Sequence, residues 1–186
     1  MKRVNVILLV LTFLFILVGS ALPQNKKTFT YVGVKGCKAC HLTKKSGAQF
    51  KIWKKSPHAK AYETLATPKA KEIAKKYDID DPQKSEKCLK CHVTAFGVDE
   101  KIRGKKLTLA EGVSCEACHG PGSGYKTKKV MQAIWEGKVD GAKYGLIKPD
   151  EKVCVRCHNE ESPTFKSFDF EKMKEKIAHP VPKKKK

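Results

Sequence analysis

The amino-acid sequence predicts a mainly α-helical protein with little β structure, in which short helices and loops wrap around bound groups. Several segments start with a helix-capping residue and repeat apolar side chains at helical spacing, whereas none alternates apolar and polar residues over the length of a strand. Aromatic residues make up 8% of the chain, charged residues 31%, and mean hydropathy is −0.47. Apolar side chains are therefore too sparse for a rich core, and something besides the polypeptide must complete it.

The first 21 residues have the organisation of a secretory signal peptide. Lys2 and Arg3 precede an apolar run over residues 6–18, and small residues follow up to Ala21. We expect cleavage after Ser20 or Ala21, because an uncleaved membrane anchor needs about 20 apolar residues. Cleavage after Ala21 leaves 165 residues and lowers the net charge from +20 to +18. The chain is thus predicted to be exported, to the periplasm or elsewhere outside the cytoplasm.

Four copies of one short motif occupy the rest of the chain. Its eight cysteines form four C-x-x-C pairs, and a histidine follows each pair directly. In chain order, motifs 1 to 4 are Cys37, Cys40 and His41; Cys88, Cys91 and His92; Cys115, Cys118 and His119; and Cys154, Cys157 and His158. This is the attachment sequence of c-type haem.

The spacing of the motif suits haem attachment. Two thiols add to the two vinyl groups of one porphyrin, and the adjacent histidine ligates the iron from the proximal side. Two zinc ribbons, each with four cysteine ligands, would share the C-x-x-C units, but they give the four histidines no reason to occupy these positions. Redox-active disulfides of thioredoxin type are a second alternative, and the βαβ pattern that they need is not evident. The sequence therefore predicts a small multihaem cytochrome, mainly α, with helices and loops around four closely packed c-type haems.

This assignment gives the domain organisation. Residues 1–21 are the signal peptide and 22–36 an N-terminal linker. Residues 37–180 form one tetrahaem domain, and 181–186 a Lys-rich tail. The four haems amount to about one per 41 residues of the mature chain, so the cofactors supply the missing core.

The segments between the motifs are predicted to be helices. Ser56 and Pro57 are suited to start one that carries His58 on its apolar face, and Thr67 and Pro68 start a second. The stretch from Tyr125 to Trp135 is a third, with Gly137 as its stop. Asp169 can cap a fourth, which carries Phe170, Met173 and Ile177 on one face and ends at His179. The predicted apolar face of the second helix consists of Ala70, Ile73, Ala74 and Tyr77.

Six histidines cannot give four irons two imidazoles each, because that needs eight. Four are proximal, which leaves His58 and His179 as the candidate distal ligands. At least two irons therefore lack a second histidine from this chain. Met131 is a third distal candidate and Met173 a weaker one, although methionine at helical spacing more often packs in a core. An open position that binds a small molecule, or a ligand from a neighbouring subunit, are the other options.

Several tracts of the chain resemble the tetrahaem cytochrome c-554 family. They are Trp53 with Ser56–Tyr62, CLKCHVTAFG at 88–97, GVSCEACHGPGSGY at 112–125 and CVRCHNEESPTF at 154–165. The resemblance implies a mostly helical fold around closely stacked haems, a role in electron transfer, and a distal-ligand role for His58. It also implies one five-coordinate haem. The chain differs in having two spare histidines rather than three, and in having Tyr125 where many related proteins have a ligand histidine after the GPG tract.

The leading functional hypothesis is a periplasmic electron carrier that relays electrons between redox partners. The basic charge favours acidic redox proteins as donor and acceptor, or an anionic membrane surface, while export and four haems argue against nucleic acid. We expect a monomer or a weak oligomer. One alternative is a redox enzyme that acts on nitric oxide, nitrite or hydroxylamine at an open haem. The other is a subunit of an extracellular cytochrome filament.

Overall fold

The computed structural model describes residues 27–182, which are helical and irregular, with no β-strand among them. None of the helices in this range is both long and apolar enough to cross a membrane. The predicted signal peptide at 1–21 and the lysines at 183–186 lie outside the described residues.

Ten α-helices lie in the described range, most of them only one or two turns long. They are α1 (Val34–His41), α2 (Gln49–Lys55), α3 (Ala61–Thr64), α4 (Pro68–Lys75), α5 (Glu86–His92), α6 (Glu100–Arg103), α7 (Cys115–His119), α8 (Lys128–Trp135), α9 (Glu151–Cys154) and α10 (Phe170–Ile177). Five 3₁₀ turns connect them, at Lys44–Ser46, Pro57–Lys60, Leu109–Glu111, Gly122–Gly124 and Gly141–Tyr144.

Three of the four predicted helices outside the motifs are confirmed, with small shifts at their ends. The side chain of Thr67 accepts a hydrogen bond from the Ala70 amide and caps α4, and Asp169 caps α10 in the same way through Lys172. The helix predicted from Tyr125 begins at Lys128 instead, because Thr127 provides the cap there. These helices start where a local side chain satisfies an amide that has no partner within the helix.

The helix predicted from Ser56 is partly confirmed: a helical segment starts at Pro57, but it is not one continuous α-helix. The chain forms a 3₁₀ turn at Pro57–Lys60 and then the single turn of α3. The Ser56 hydroxyl makes no cap, because it donates to the Trp53 carbonyl at 2.8 Å instead. His58 therefore lies on a tight turn and not on the face of a continuous helix. The predicted apolar face of α4 is also partly wrong, since Ala74 is buried but Tyr77 is 52% exposed.

The apolar core of the described residues is small. Eight hydrophobic side chains are buried in it: Val32, Ala59, Leu65, Ala74, Leu89, Val93, Leu107 and Tyr125. Leu65, Leu89 and Val93 form one cluster, which joins the end of α3 to the second motif helix, α5. The segment before motif 1 is also packed, since Val32 is buried and the Tyr31 amide donates to the Ile102 carbonyl at 2.7 Å.

Gly112 fixes the turn that carries His58. Its backbone has a φ of +60° and a ψ of −139°, a conformation that L-residues rarely adopt. A Cβ atom at this position would lie 2.7 Å from the His58 carbonyl oxygen, which already accepts a hydrogen bond from the Val113 amide at 3.0 Å. The close approach of the two backbones therefore requires glycine.

We predict that Gly112→Ala lowers the free energy of unfolding by about 3 kcal/mol, because it adds a backbone clash to the cost of a positive φ. The matched control is Gly97→Ala, where φ is +71° but nothing lies within 4 Å of the added Cβ. The control should cost only about 1 kcal/mol. Urea unfolding of the haem-loaded variants measures both values, and equal losses would contradict the assigned role of Gly112.

Candidate haem sites

The four motifs lie on or beside short helices. Motifs 1, 2 and 3 form the last turns of α1, α5 and α7, while motif 4 begins at the end of α9 and continues through the following turn. The two cysteines and the histidine of a motif stand at positions i, i+3 and i+4. On a helix these positions share one face, so both thiols and the imidazole project to the same side.

The eight thiols are all free, and thiols of different motifs lie next to one another. Interaction with the Cys115 thiol, together with burial, raises the pKa of Cys37, which places motif 1 beside motif 3. Burial and the nearby Cys154 raise the pKa of Cys118, which places motif 3 beside motif 4.

The fourth motif in turn neighbours the second. Burial and the adjacent Cys91 raise the pKa of the Cys157 thiol to about 12. An exposed ion pair between Lys90 and Glu161 connects the same two motifs at the surface. The cysteine pairs of the motifs therefore follow one another in space in the order 1, 3, 4, 2, which differs from their order in the chain.

Hydrogen bonds orient three of the proximal histidines. The Nδ1 atom of His92 donates to the Ala61 carbonyl at 2.7 Å, and that of His119 to the Ile147 carbonyl at 3.3 Å. Nδ1 of His41 lies 3.3 Å from Oε1 of Gln49. An acceptor at Nδ1 fixes the proton there and leaves Nε2 free to bind a metal.

The two spare histidines each lie opposite a proximal one. The ring centres of His58 and His158 are 5.9 Å apart, and those of His119 and His179 are 5.8 Å apart. A metal–imidazole bond is about 2 Å long and the ring centre lies ~1 Å further, so two imidazoles on opposite faces of one iron have centres about 6 Å apart. Both pairs have this separation.

Electrostatics also suit these four imidazoles to bind metal. Burial lowers the pKa of His58, His119, His158 and His179. The neutral imidazole that results is the form that ligates a metal. The Nδ1 atom of His179 is moreover buried without a hydrogen-bond partner.

The donor set thus fits haem. Each site offers two free thiols and an imidazole, which is what covalent attachment and axial ligation require. Four thiolates around one zinc ion would have to converge within bonding distance. In the part of the chain that the structure describes, no three His, Cys, Asp or Glu side chains converge in this way.

The structure shows a clamp around motif 3 that sequence reasoning missed. Glu116, between the two cysteines of that motif, is 2% exposed, and its carboxylate accepts hydrogen bonds from three backbone amides. Its oxygens lie 2.9 Å from the Val32 amide, 2.8 Å from that of Gly33 and 2.6 Å from that of Gly122. Glu116 thereby fastens the segment before motif 1 to motif 3. The one sequence signal for this role was an acidic residue inside a motif.

Two further contacts join motif 3 to the other motifs. The Thr94 hydroxyl, just after motif 2, accepts from the Ser114 amide at 2.7 Å and lies 3.0 Å from the Gly112 carbonyl oxygen. From motif 4, Nη2 of Arg156 donates to the Ala117 carbonyl at 2.8 Å. Motif 3 is therefore in direct polar contact with segments at all three other motifs.

The positions of Tyr125 and the two methionines do not identify them as haem ligands. The Tyr125 hydroxyl donates to the Gly120 carbonyl at 2.7 Å, and burial raises the pKa of this phenol, so it stays protonated and bound to backbone. Met131 is half-buried on α8, and Met173 is 38% exposed on α10. The distal roles of His58, His179 and Met131 stay predictions.

Comparison with known proteins identifies the family. The family model described as cytochrome c554 and c-prime matches residues 36–120. A curated relative, cytochrome c-554 of Nitrosomonas europaea, is 35% identical over an alignment of 140 residues that covers 69% of this chain. The solved structure of the reduced state of cytochrome c554 from the same organism matches with a TM-score of 0.58 and 30% identity, over 79% of this chain and 82% of that one. The chain belongs to the cytochrome c554 family.

Membership confirms the predicted fold class and the nature of the cofactor. A mainly α multihaem cytochrome is what the described helices and the structural match both indicate. The family also implies covalently bound c-type haem, for which the eight free cysteines are suited. The chain spans 57% of the length of the curated relative.

We predict that Glu116→Gln lowers the free energy of unfolding of the haem-loaded protein by about 2–3 kcal/mol. Glutamine keeps the shape, but it has one acceptor oxygen and turns an NH₂ group toward backbone amides. Urea unfolding measures the loss. The exposed Glu160→Gln serves as the control and should change stability by less than about 0.5 kcal/mol. A Glu116→Gln variant as stable as this control would show that the clamp does not stabilise the fold.

Proposed function

We propose that the chain is an exported tetrahaem c-type cytochrome that relays electrons between redox partners. The observation that carries the proposal is the continuous row of cysteine pairs in the order 1, 3, 4, 2, in which direct contacts join successive motifs. Bound haem supplies an iron centre that takes up and releases one electron. The polypeptide holds its sites side by side in the row, with motifs 1 and 2 at the ends.

The proposed ligands divide the row into an interior and two ends. His58 is the proposed second ligand at motif 4, opposite His158, and His179 is the proposed second ligand at motif 3, opposite His119. These two motifs are the interior sites. Two imidazoles on one iron give the same ligand set in both oxidation states. His41 and His92, at the end sites, are left without a second histidine from this chain, and Met131 remains a candidate for one of them.

Export and partners complete the proposal. The signal peptide, cleaved after Ser20 or Ala21, directs the chain to the periplasm, where haem is attached to the thiols. The mature charge of +18 favours acidic redox proteins as donor and acceptor. An anionic membrane surface is the alternative partner.

A second candidate function rests on the two end sites. An iron with one histidine has a position at which a small nitrogen compound such as nitric oxide, nitrite or hydroxylamine can bind. A high-spin ferric signal in the purified protein that shifts on addition of nitrite or hydroxylamine supports this activity. If all four centres are low-spin and their signals do not change when either compound is added, electron relay is the only function supported.

We expect that His58→Ala removes one of two bis-histidine low-spin signals from the EPR spectrum of the oxidised protein. His179→Ala should remove the other, and the double variant both, because each imidazole serves a different iron. Lys60→Ala is the control, since Lys60 is an exposed neighbour of His58 on the same turn and should leave both signals in place. Two bis-histidine signals in the double variant would refute the proposed pairing.

The haem count has its own test. Mass spectrometry of the exported mature chain should give the mass of residues 22–186 plus four haems, or of 21–186 if cleavage follows Ser20. Changing both cysteines of motif 2 to serine should lower the count to three, because no thiols remain there for attachment. A bare polypeptide in the exported fraction contradicts the proposal.

A further inference from the structure

We propose that the outer surface of residues 27–62 is the docking surface for an acidic redox protein, and that electrons enter or leave the chain at motif 1. This inference rests on the proposed relay function. We call this surface the basic face. It carries nine exposed lysines: Lys27, Lys35, Lys38, Lys44, Lys45, Lys51, Lys54, Lys55 and Lys60.

Within residues 27–182, the net positive charge is concentrated in this segment. Residues 27–62 contain nine lysines and no acidic residue, a net charge of +9 over 36 residues. Residues 63–182 contain 23 basic and 19 acidic residues, a net charge of +4 over 120 residues. The ion pairs in the described part of the chain all lie in this second segment. Its lysines are therefore largely compensated, and those of the basic face are not.

Two packed helices bring these lysines onto one surface. Lys35 and Lys38 are one turn apart on α1, and Lys51, Lys54 and Lys55 share one side of α2 at positions i, i+3 and i+4. The two helices pack together, and Nζ of Lys38 lies 5.5 Å from the centre of the Phe50 ring on α2. The inner side of α2 faces the protein, since Nε1 of Trp53 donates to the Val113 carbonyl at 2.9 Å.

Two acidic groups contact this segment from within, Glu111 and Glu116, and both are buried. Glu111 is 8% exposed, accepts a hydrogen bond from the Val34 amide at 3.0 Å and has Lys35 nearby. A buried carboxylate cannot form ion pairs with an approaching protein. The field in front of the basic face is therefore positive, and a cluster of one sign steers a partner of the opposite sign toward it.

Motif 1 is the site that this surface serves. Cys40 is exposed, whereas the other seven motif cysteines are only partly accessible. Motif 1 thus has the most exposed attachment thiol of the four motifs, and it also stands at one end of the row. A partner seated on α1 lies directly over this site, because the cysteines and the histidine of motif 1 are on that helix.

The composition of the face favours a protein over a membrane. Helices that lie on a bilayer insert large apolar side chains between the lipids. Among the described residues, the exposed large hydrophobic side chains are Tyr77, Ile147, Val155, Met173 and Val181, all outside residues 27–62. The basic face thus offers charge without an apolar anchor.

The test compares two triple variants with the same change in charge. K51E/K54E/K55E reverses three lysines on α2, and K69E/K71E/K75E reverses three exposed lysines on α4. The haem-loaded proteins are mixed with reduced flavodoxin, an acidic flavoprotein, and the second-order rate constant of haem reduction is measured by stopped flow. At low ionic strength the α2 variant should react at least about tenfold more slowly than the wild type. The α4 variant should stay within about threefold, and at high ionic strength the three rates should converge.

Two controls separate failure of this inference from failure of the relay function. Dithionite, a small reductant that needs no docking surface, should reduce all three proteins completely. If it reduces the wild type but both triple variants slow the flavodoxin reaction equally, the docking inference is wrong and the relay function stands. If dithionite cannot reduce the wild-type protein, the proposed relay function itself is wrong.

A second variant guards against misfolding, and a vesicle-binding assay tests the membrane as partner. K44E/K45E reverses two lysines of the 3₁₀ turn between the helices and should also slow the reaction, which keeps the test decisive if the α2 variant misfolds. Binding to phosphatidylglycerol vesicles that α2 reversal abolishes, with an unchanged flavodoxin rate, would overturn the protein partner in favour of a membrane.

Discussion

The fold depends on one buried carboxylate that holds two haem motifs together. Glu116 accepts hydrogen bonds from the amides of Val32 and Gly33, which precede motif 1, and from the amide of Gly122, which follows motif 3. A buried carboxylate is costly unless such donors surround it, so the clamp strongly favours one arrangement of these backbones. With only eight buried hydrophobic side chains in the described residues, the polypeptide has little else to fix the spacing of its motifs.

The sequence was sufficient for whatever depends on neighbouring residues. The haem motifs are readable because attachment needs two thiols and an imidazole within five residues. The helices capped by Thr67 and Asp169 are readable because a side chain and an amide three residues apart form the cap. The fold class followed from these signals and is confirmed by the structural match.

Long-range contacts decided what could not be read from the sequence. Ser56 has the cap signal, but its hydroxyl bonds to Trp53, while Gly112 and Val113 hold the neighbouring His58 turn from more than fifty residues away. Glu116 is separated from its partners Val32 and Gly33 by more than eighty residues. The spacing of apolar residues along the sequence does not indicate which distant residues form such pairs. The spatial order of the motifs is hidden for the same reason, since Cys37 lies beside Cys115 and not beside the next cysteine pair in the chain.

The distribution of histidines along the row is consistent with a relay whose ends differ from its interior. Under the proposed pairing, both motifs with a second imidazole are interior, and their centres change little in structure when they gain or lose an electron. The end motifs keep only His41 and His92, so their irons are open to a weaker ligand or to none. Of these two ends, motif 1 has the exposed Cys40 and the surrounding lysines. Under this proposal, exchange with a partner or a small molecule would take place at the ends of the row.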